Sequence, residues 1–149
     1  MSKAPGPQRG FAQDYLAYLL ARASHEISAE FHEQVLASGL SVMQWRVLAS
    51  LSDGPPLSIG VLADIVLAQQ PTATKLVARM EQEGLIQRLP HPQDKRSVLV
   101  TLTPLGKRKA TPLLKQARAH EAQLLARLPD ADTAALKDIL RRWIEHSLS

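Results

Sequence analysis

The chain has 149 residues, 45% of them hydrophobic and 4% aromatic: one domain's worth, with material for a core but too few rings for a large aromatic-lined substrate tunnel. It has no cysteine, which excludes disulfides, thiolate zinc sites, cysteine nucleophiles and thiol redox sensing. A net charge of +4 admits an acidic partner, and no apolar run approaches the roughly 20 residues that a membrane span needs.

The opening MSKAPGPQRG holds two prolines and two glycines and no apolar signal core, so residues 1–10 are expected to form a flexible arm on a cytoplasmic protein. Helical periodicity then runs over residues 11–37, with Leu16, Leu20, Ile27, Phe31 and Val35 spaced for one face. Gly39 fits a left-handed helix end. Next, Ser41 and Gln44 stand in capping-box spacing ahead of a helix whose apolar face is Val42, Trp45, Leu48, Ala49 and Leu51, and SDGPP stops it. The segment LSIGVLADIV reads as a short helix capped by Ser58, with Ile59, Leu62 and Val66 inward.

After the turn LAQQ, Pro71 suits the first turn of a further helix over residues 71–83, with Leu76, Val77 and Met80 toward the core and Gly84 as its stop. Residues 85–89 and 97–102 read as two strands joined by PHPQDKR, the second alternating with period two. Thr103 caps the next helix, over residues 104–128, in which Pro112 either kinks the axis or marks the true start. A last helix over residues 132–146 presents Leu136, Ile139, Leu140, Trp143 and Ile144. The fold class expected is mainly α with a small β-hairpin, in the order α-α-α-α-β-β-α-α. The long first helix and the last two carry apolar surface without catalytic groups. Residues 11–38 and 104–149 are therefore read as a helical dimerisation module around a lobe of residues 39–103.

Charge is concentrated in the middle of the chain. Between Gln69 and Lys109 eight cations oppose three carboxylates, a local +5 that leaves the remainder near −1. Two short helices joined by a tight turn, the second with small polar and basic residues near its start, form a helix-turn-helix pattern. Alone that pattern is weak. The strand pair after it, with a cationic tip at Lys95 and Arg96, makes a winged helix, and the tip is basic because it reaches DNA. Asp94 stands close enough to pair with Arg96 or to close the turn through the backbone.

DKRSVLVTLTPLG, residues 94–106, resembles the wing signature of the MarR family of transcriptional regulators. SGLSVMQWRVLASL and LADIVLAQQPTATKLVARMEQEGLI resemble the same family in the same order. The resemblance covers about residues 11 to 146. It implies a homodimer on a pseudo-palindromic double-stranded operator, commonly relieved by a small aromatic acid lodged near the dimer helices. Carried across, Gln70, Thr72, Thr74 and Lys75 would face DNA, and Arg96, steadied by Asp94, would enter the minor groove. Family members often have a small polar or acidic cap and an Arg-Ser pair where this chain has Gln69, Gln70 and Pro71, so the operator sequence does not carry across.

Arg88 and Lys95 are read as phosphate contacts or solvated cations, and Arg79 as the partner of a nearby carboxylate. Lys107, Arg108 and Lys109 sit where a helix dipole disfavours them, which a phosphate neighbour would explain. By the family's geometry, Tyr15, Tyr18, Arg22, His25, Trp45 and Arg46 are the candidates to bind an effector of aromatic carboxylate type, although Trp45 suits plain core equally well. The five histidines show no metal-ligand spacing, no nucleophile motif or phosphate-cradling loop appears, and no cofactor is expected. The reading is a ligand-released repressor rather than an enzyme. A protein-interaction module, or a constitutive or activating DNA-binding protein, remains the alternative.

Overall fold

The computed structural model describes residues 10–147 as seven helices and a three-stranded antiparallel sheet. The expected N-terminal arm lies outside the described residues except for Gly10. Helix α1 (Phe11–Asp14) and helix α2 (Leu16–Ala37) follow one another through Tyr15, whose extended backbone breaks the single helix expected there. No glycine or proline stands at the break to account for it. Gly39, at φ 87°, ends the α2 segment as expected.

Local capping chemistry sets the next elements. Helix α3 (Val42–Ser52) opens with the capping box: Ser41 Oγ accepts from the Gln44 N–H at 3.1 Å, and Gln44 Oε1 accepts from the Ser41 N–H at 2.9 Å. Helix α4 (Ile59–Val66) is capped by Ser58, whose Oγ accepts from the Val61 N–H at 3.2 Å. Its far end closes at Leu67, a non-glycine residue held at φ 60° and 82% exposed. The left-handed conformation costs a residue with a Cβ about 1–2 kcal/mol. Leu67→Gly is therefore expected to raise the urea midpoint, the relief being partly offset by the greater freedom of glycine in the unfolded chain; a lowered midpoint would show that the exposed side chain contributes packing.

Helix α5 (Gln70–Gln82) carries Pro71 in its first turn and stops at Gly84, φ 76°. The hairpin strands are Ile86–Pro90 and Val98–Leu102, with Gln87 opposite Thr101 and Leu89 opposite Leu99. A strand missed in the sequence, β1 (Leu57–Ser58), pairs with the other edge of the Val98–Leu102 strand. Two residues are too few to show a period. Numbered in chain order, the hairpin strands are β2 and β3, and the sheet order is β1-β3-β2.

Helix α6 (Pro104–Leu125) runs through Pro112, which therefore does not mark its start. Thr103 caps it, its Oγ1 accepting from the Gly106 N–H at 3.1 Å and donating to the Gly84 carbonyl at 2.5 Å. Its first turn thus sits directly on the stop of α5. Helix α7 (Asp130–Ser147) follows.

One core joins the C-terminal half of α2 (Phe31, Val35), α3 (Trp45, Val47, Leu48, Leu51), α4 (Leu62, Val66), α5 (Val77, Met80), the sheet (Ile86, Val100, Leu102) and α6 (Ala110, Leu113). The expected apolar faces of the N-terminal half of α2 and of α7 stay uncovered within the protomer. Leu16, Leu20, Ile27, Leu136, Ile139, Trp143 and Ile144 are all exposed, and α7 contributes no buried residue.

Candidate nucleic-acid interface

The N-terminal part of α5 turns its small polar and basic residues outward. Gln70, Thr72, Thr74 and Lys75 are exposed, while Ala73, Val77 and Met80 pack inward at helical spacing. Thr74 Oγ1 donates back to the Gln70 carbonyl at 2.9 Å, so its hydroxyl begins with an intrahelical partner.

The tip of the β2–β3 hairpin is built by two side chains. Asp94 Oδ1 accepts from the Arg96 N–H at 3.0 Å and its Oδ2 from Ser97 Oγ at 3.2 Å. His91 Nδ1 accepts from the N–H groups of Gln93 and Asp94 at 3.1 and 3.0 Å. Asp94 therefore closes the turn through the backbone, the second of the two roles considered for it. His91 falls within the expected connection PHPQDKR, but nothing in the sequence marks its ring as the acceptor that shapes the turn. The Arg96 guanidinium has no carboxylate partner among the described residues.

Helix and hairpin meet in a cleft of about 330 Å³ lined by Ser58, Ile59, Gly60, Gln70, Arg96, Ser97 and Val98. Gln70, at the start of α5, and Arg96, at the wing tip, thus share one polar concavity. Lys95 is exposed beside it.

Two other cations of the region are engaged. Arg79 pairs with Glu83 at 3.0 Å, as expected for it. Arg88, on β2, is held by Glu81 of α5: Nη2 and Nε donate to Oε1 at 2.8 and 3.1 Å, and the Arg88 N–H donates to Oε2 at 2.9 Å. Neither a phosphate contact nor a merely solvated side chain anticipates this clamp of the wing onto the helix. The Arg88 side chain and its N–H hold the Glu81 carboxyl below the usual value of 4.5. Because the folded value is the lower one, the clamp stabilises the fold above the ordinary glutamate range, and this is lost as pH falls through the lowered value. In urea titrations Glu81→Gln is expected to lower the midpoint at neutral pH and to match the parent chain in strong acid; an equal gap at every pH would contradict the clamp.

A helix-turn-helix presenting a polar, basic helix start is thus joined by a turn-closed cationic wing. The MarR family profile matches residues 40–98. The crystal structure of the MarR family transcriptional regulator SPO1453 from Silicibacter pomeroyi superposes with a TM-score of 0.81 at 42% identity, over 92% of this chain and 98% of that one. The chain belongs to the MarR family of transcriptional regulators. Two further relatives are the HTH-type transcriptional regulator YwoH of Bacillus subtilis, 27% identical over 91% of this chain and 98% of its own, and the homoprotocatechuate degradative operon repressor of Escherichia coli, 28% identical over 85% and 88%.

The effector candidates of this MarR-family chain fall into two groups. Tyr18, Arg22 and His25 lie along the exposed first half of α2, where Arg22 pairs with Glu26, and Tyr15 stands exposed at the break just before it. Trp45 is buried edge-on against Phe31, ring centroids 5.2 Å apart, which is the plain core role considered for it. Arg46 directs Nη1 to the Val66 carbonyl at 3.4 Å. Sequence reasoning missed His120, on α6, which stacks on the other side chain of this pair, Phe31, with centroids 5.9 Å apart. Among the described residues no group of three His, Asp or Glu side chains could hold a metal ion, and no helix is long and apolar enough to cross a membrane.

Proposed function

We propose that the protein is a cytoplasmic homodimeric repressor that binds a pseudo-palindromic operator through the start of α5 and the wing, and is released by a small aromatic acid. The observation that carries this reading is the shared cleft of Gln70 and Arg96. Gln70, Thr72, Thr74 and Lys75 enter a major groove, where base edges present a readable donor and acceptor pattern. Arg96, with its permanently charged planar fork, enters the adjoining minor groove, and Lys95 meets a phosphate.

The dimer follows from the apolar side chains that α2 and α7 leave uncovered, which a second copy would bury. Residues 11–38 and 104–149 then make the dimerisation module, and residues 39–103 the DNA-binding lobe. Two-fold symmetry sets the two α5 helices one DNA turn apart, roughly 34 Å. Support for an aromatic acid comes from the relative named as repressor of the homoprotocatechuate degradative operon. An effector bound between Arg22, Arg46 and the aromatic residues of the helical module changes that spacing. Coupling is reciprocal, so DNA weakens effector binding by the factor by which effector weakens DNA binding.

Selection of duplexes from a random pool, with sedimentation of the bound species, tests this. The expected product is an inverted repeat carrying two copies of the chain, released by an aromatic acid such as phenylacetate. An enriched site without symmetry, bound by one copy, would overturn the dimeric reading.

A further inference from the structure

Gln44 is buried to 6% exposure, alone among the polar side chains of the described residues. Both ends of its amide are used. Oε1 accepts from the Ser41 N–H at 2.9 Å, and Nε2 donates across 39 residues of sequence to Glu83 Oε2, also at 2.9 Å. Glu83 is the C-cap residue of α5, and its other oxygen accepts from Arg79 Nε of the same helix at 3.0 Å. The capping box locks the amide, because any rotation would strand the Ser41 N–H that it satisfies.

We infer that Gln44 is a positioning residue for DNA reading, tying the C-terminal end of α5 to α3 so that the helical module sets the angle at which the start of α5 meets the groove. This rests on the operator reading above. Helix α3 also carries Trp45 against Phe31 of α2 and packs on α6, so it follows movements of the long helices. The polar attachments of α5 gather at one end: Glu83 to α3, Glu81 to the wing through Arg88, and Gly84 to the cap of α6. Its reading end, some 20 Å away along 13 residues, packs through Ala73 but makes no such polar attachment among the described residues. A tilt applied at the anchored end is therefore delivered to Gln70, Thr72 and Lys75.

The test exploits the polarity of the bond. Gln44→Glu sets two carboxylates face to face, Glu83→Ala removes the acceptor from a partly exposed position, and the double exchange Gln44→Glu with Glu83→Gln restores one donor and one acceptor. The probes are the duplex selected by the parent protein and a scrambled duplex of equal length, with thermal midpoints recorded for each variant. The expected result is a loss of about tenfold in affinity for the selected duplex in both single variants, with scrambled-duplex binding nearly unchanged and the double exchange recovering most of the loss. Unaltered affinity in folded Glu83→Ala, or a loss that the exchange does not recover in a folded double variant, would overturn the assignment. If Gln44→Glu does not fold, Glu83→Ala alone decides. A parent protein that shows no sequence preference overturns the operator reading and this inference with it; a selective parent with indifferent variants overturns this inference alone.

Discussion

Arg96→Ala is expected to weaken binding to the selected operator by at least tenfold, since a good side-chain contact to a base is worth about 1–3 kcal/mol and a symmetric dimer loses it twice. The fold should not notice. What the turn uses is the Arg96 backbone N–H, bonded to Asp94 at 3.0 Å, and alanine retains it. The guanidinium itself has no carboxylate partner among the described residues to leave behind. Affinity by anisotropy, read with the sedimentation coefficient, separates the two effects: binding falls and the oligomeric state stays. Equal affinity for the parent and the variant would remove the wing from the interface.

Gly106→Ala is expected to be the most damaging small substitution in the chain. A Cβ at this position would stand 2.0 Å from the Leu85 carbonyl oxygen, 3.1 Å from its carbon and 3.3 Å from Leu102 Cδ2. The first obstacle is backbone, and it is fixed: the same carbonyl accepts from the Thr103 N–H at 3.1 Å. Relief requires moving the start of α6 off the end of α5, at a cost of about 3 kcal/mol or more. Gly54, around which a Cβ would meet nothing within 4 Å, is the control, and Gly54→Ala should change the urea midpoint little. A tolerated Gly106→Ala would mean that the α5–α6 junction is loose. Since that junction anchors the reading helix, operator affinity should fall even where the variant still folds.

These two positions differ in how far the sequence announces them. The wing was readable because its signals are local: alternating Val98, Val100 and Leu102, a turn-forming Asp94, and a cap at Thr103. The helix ends were readable for the same reason, at Ser41, Ser58, Gly39 and Gly84. Gly106 was visible only as a residue of the helix start, because its need for close approach comes from Leu85, which is distant in sequence. Likewise, the Glu81–Arg88 clamp joins a helix to a strand, and the Gln44–Glu83 bond spans 39 residues, so no periodicity reveals either.

The effector residues were harder for a further reason. Six residues drawn from the α1–α2 break, α2 and α3 have no common local pattern. Trp45 shows the limit: its type and spacing fit a ligand wall and a core equally, and only its burial against Phe31 decides what it does in the protomer.

The central claim, sequence-selective DNA binding by the α5 and wing face, is tested most directly by fluorescence anisotropy on the selected duplex and its scrambled counterpart across a salt series. The account predicts tight binding to the selected duplex and much weaker binding to the scrambled one. Both should fall steeply with salt as Lys75, Lys95 and Arg96 release counterions from phosphate. Equal, weak binding to both duplexes at physiological salt would contradict it and leave the helix-turn-helix as a scaffold.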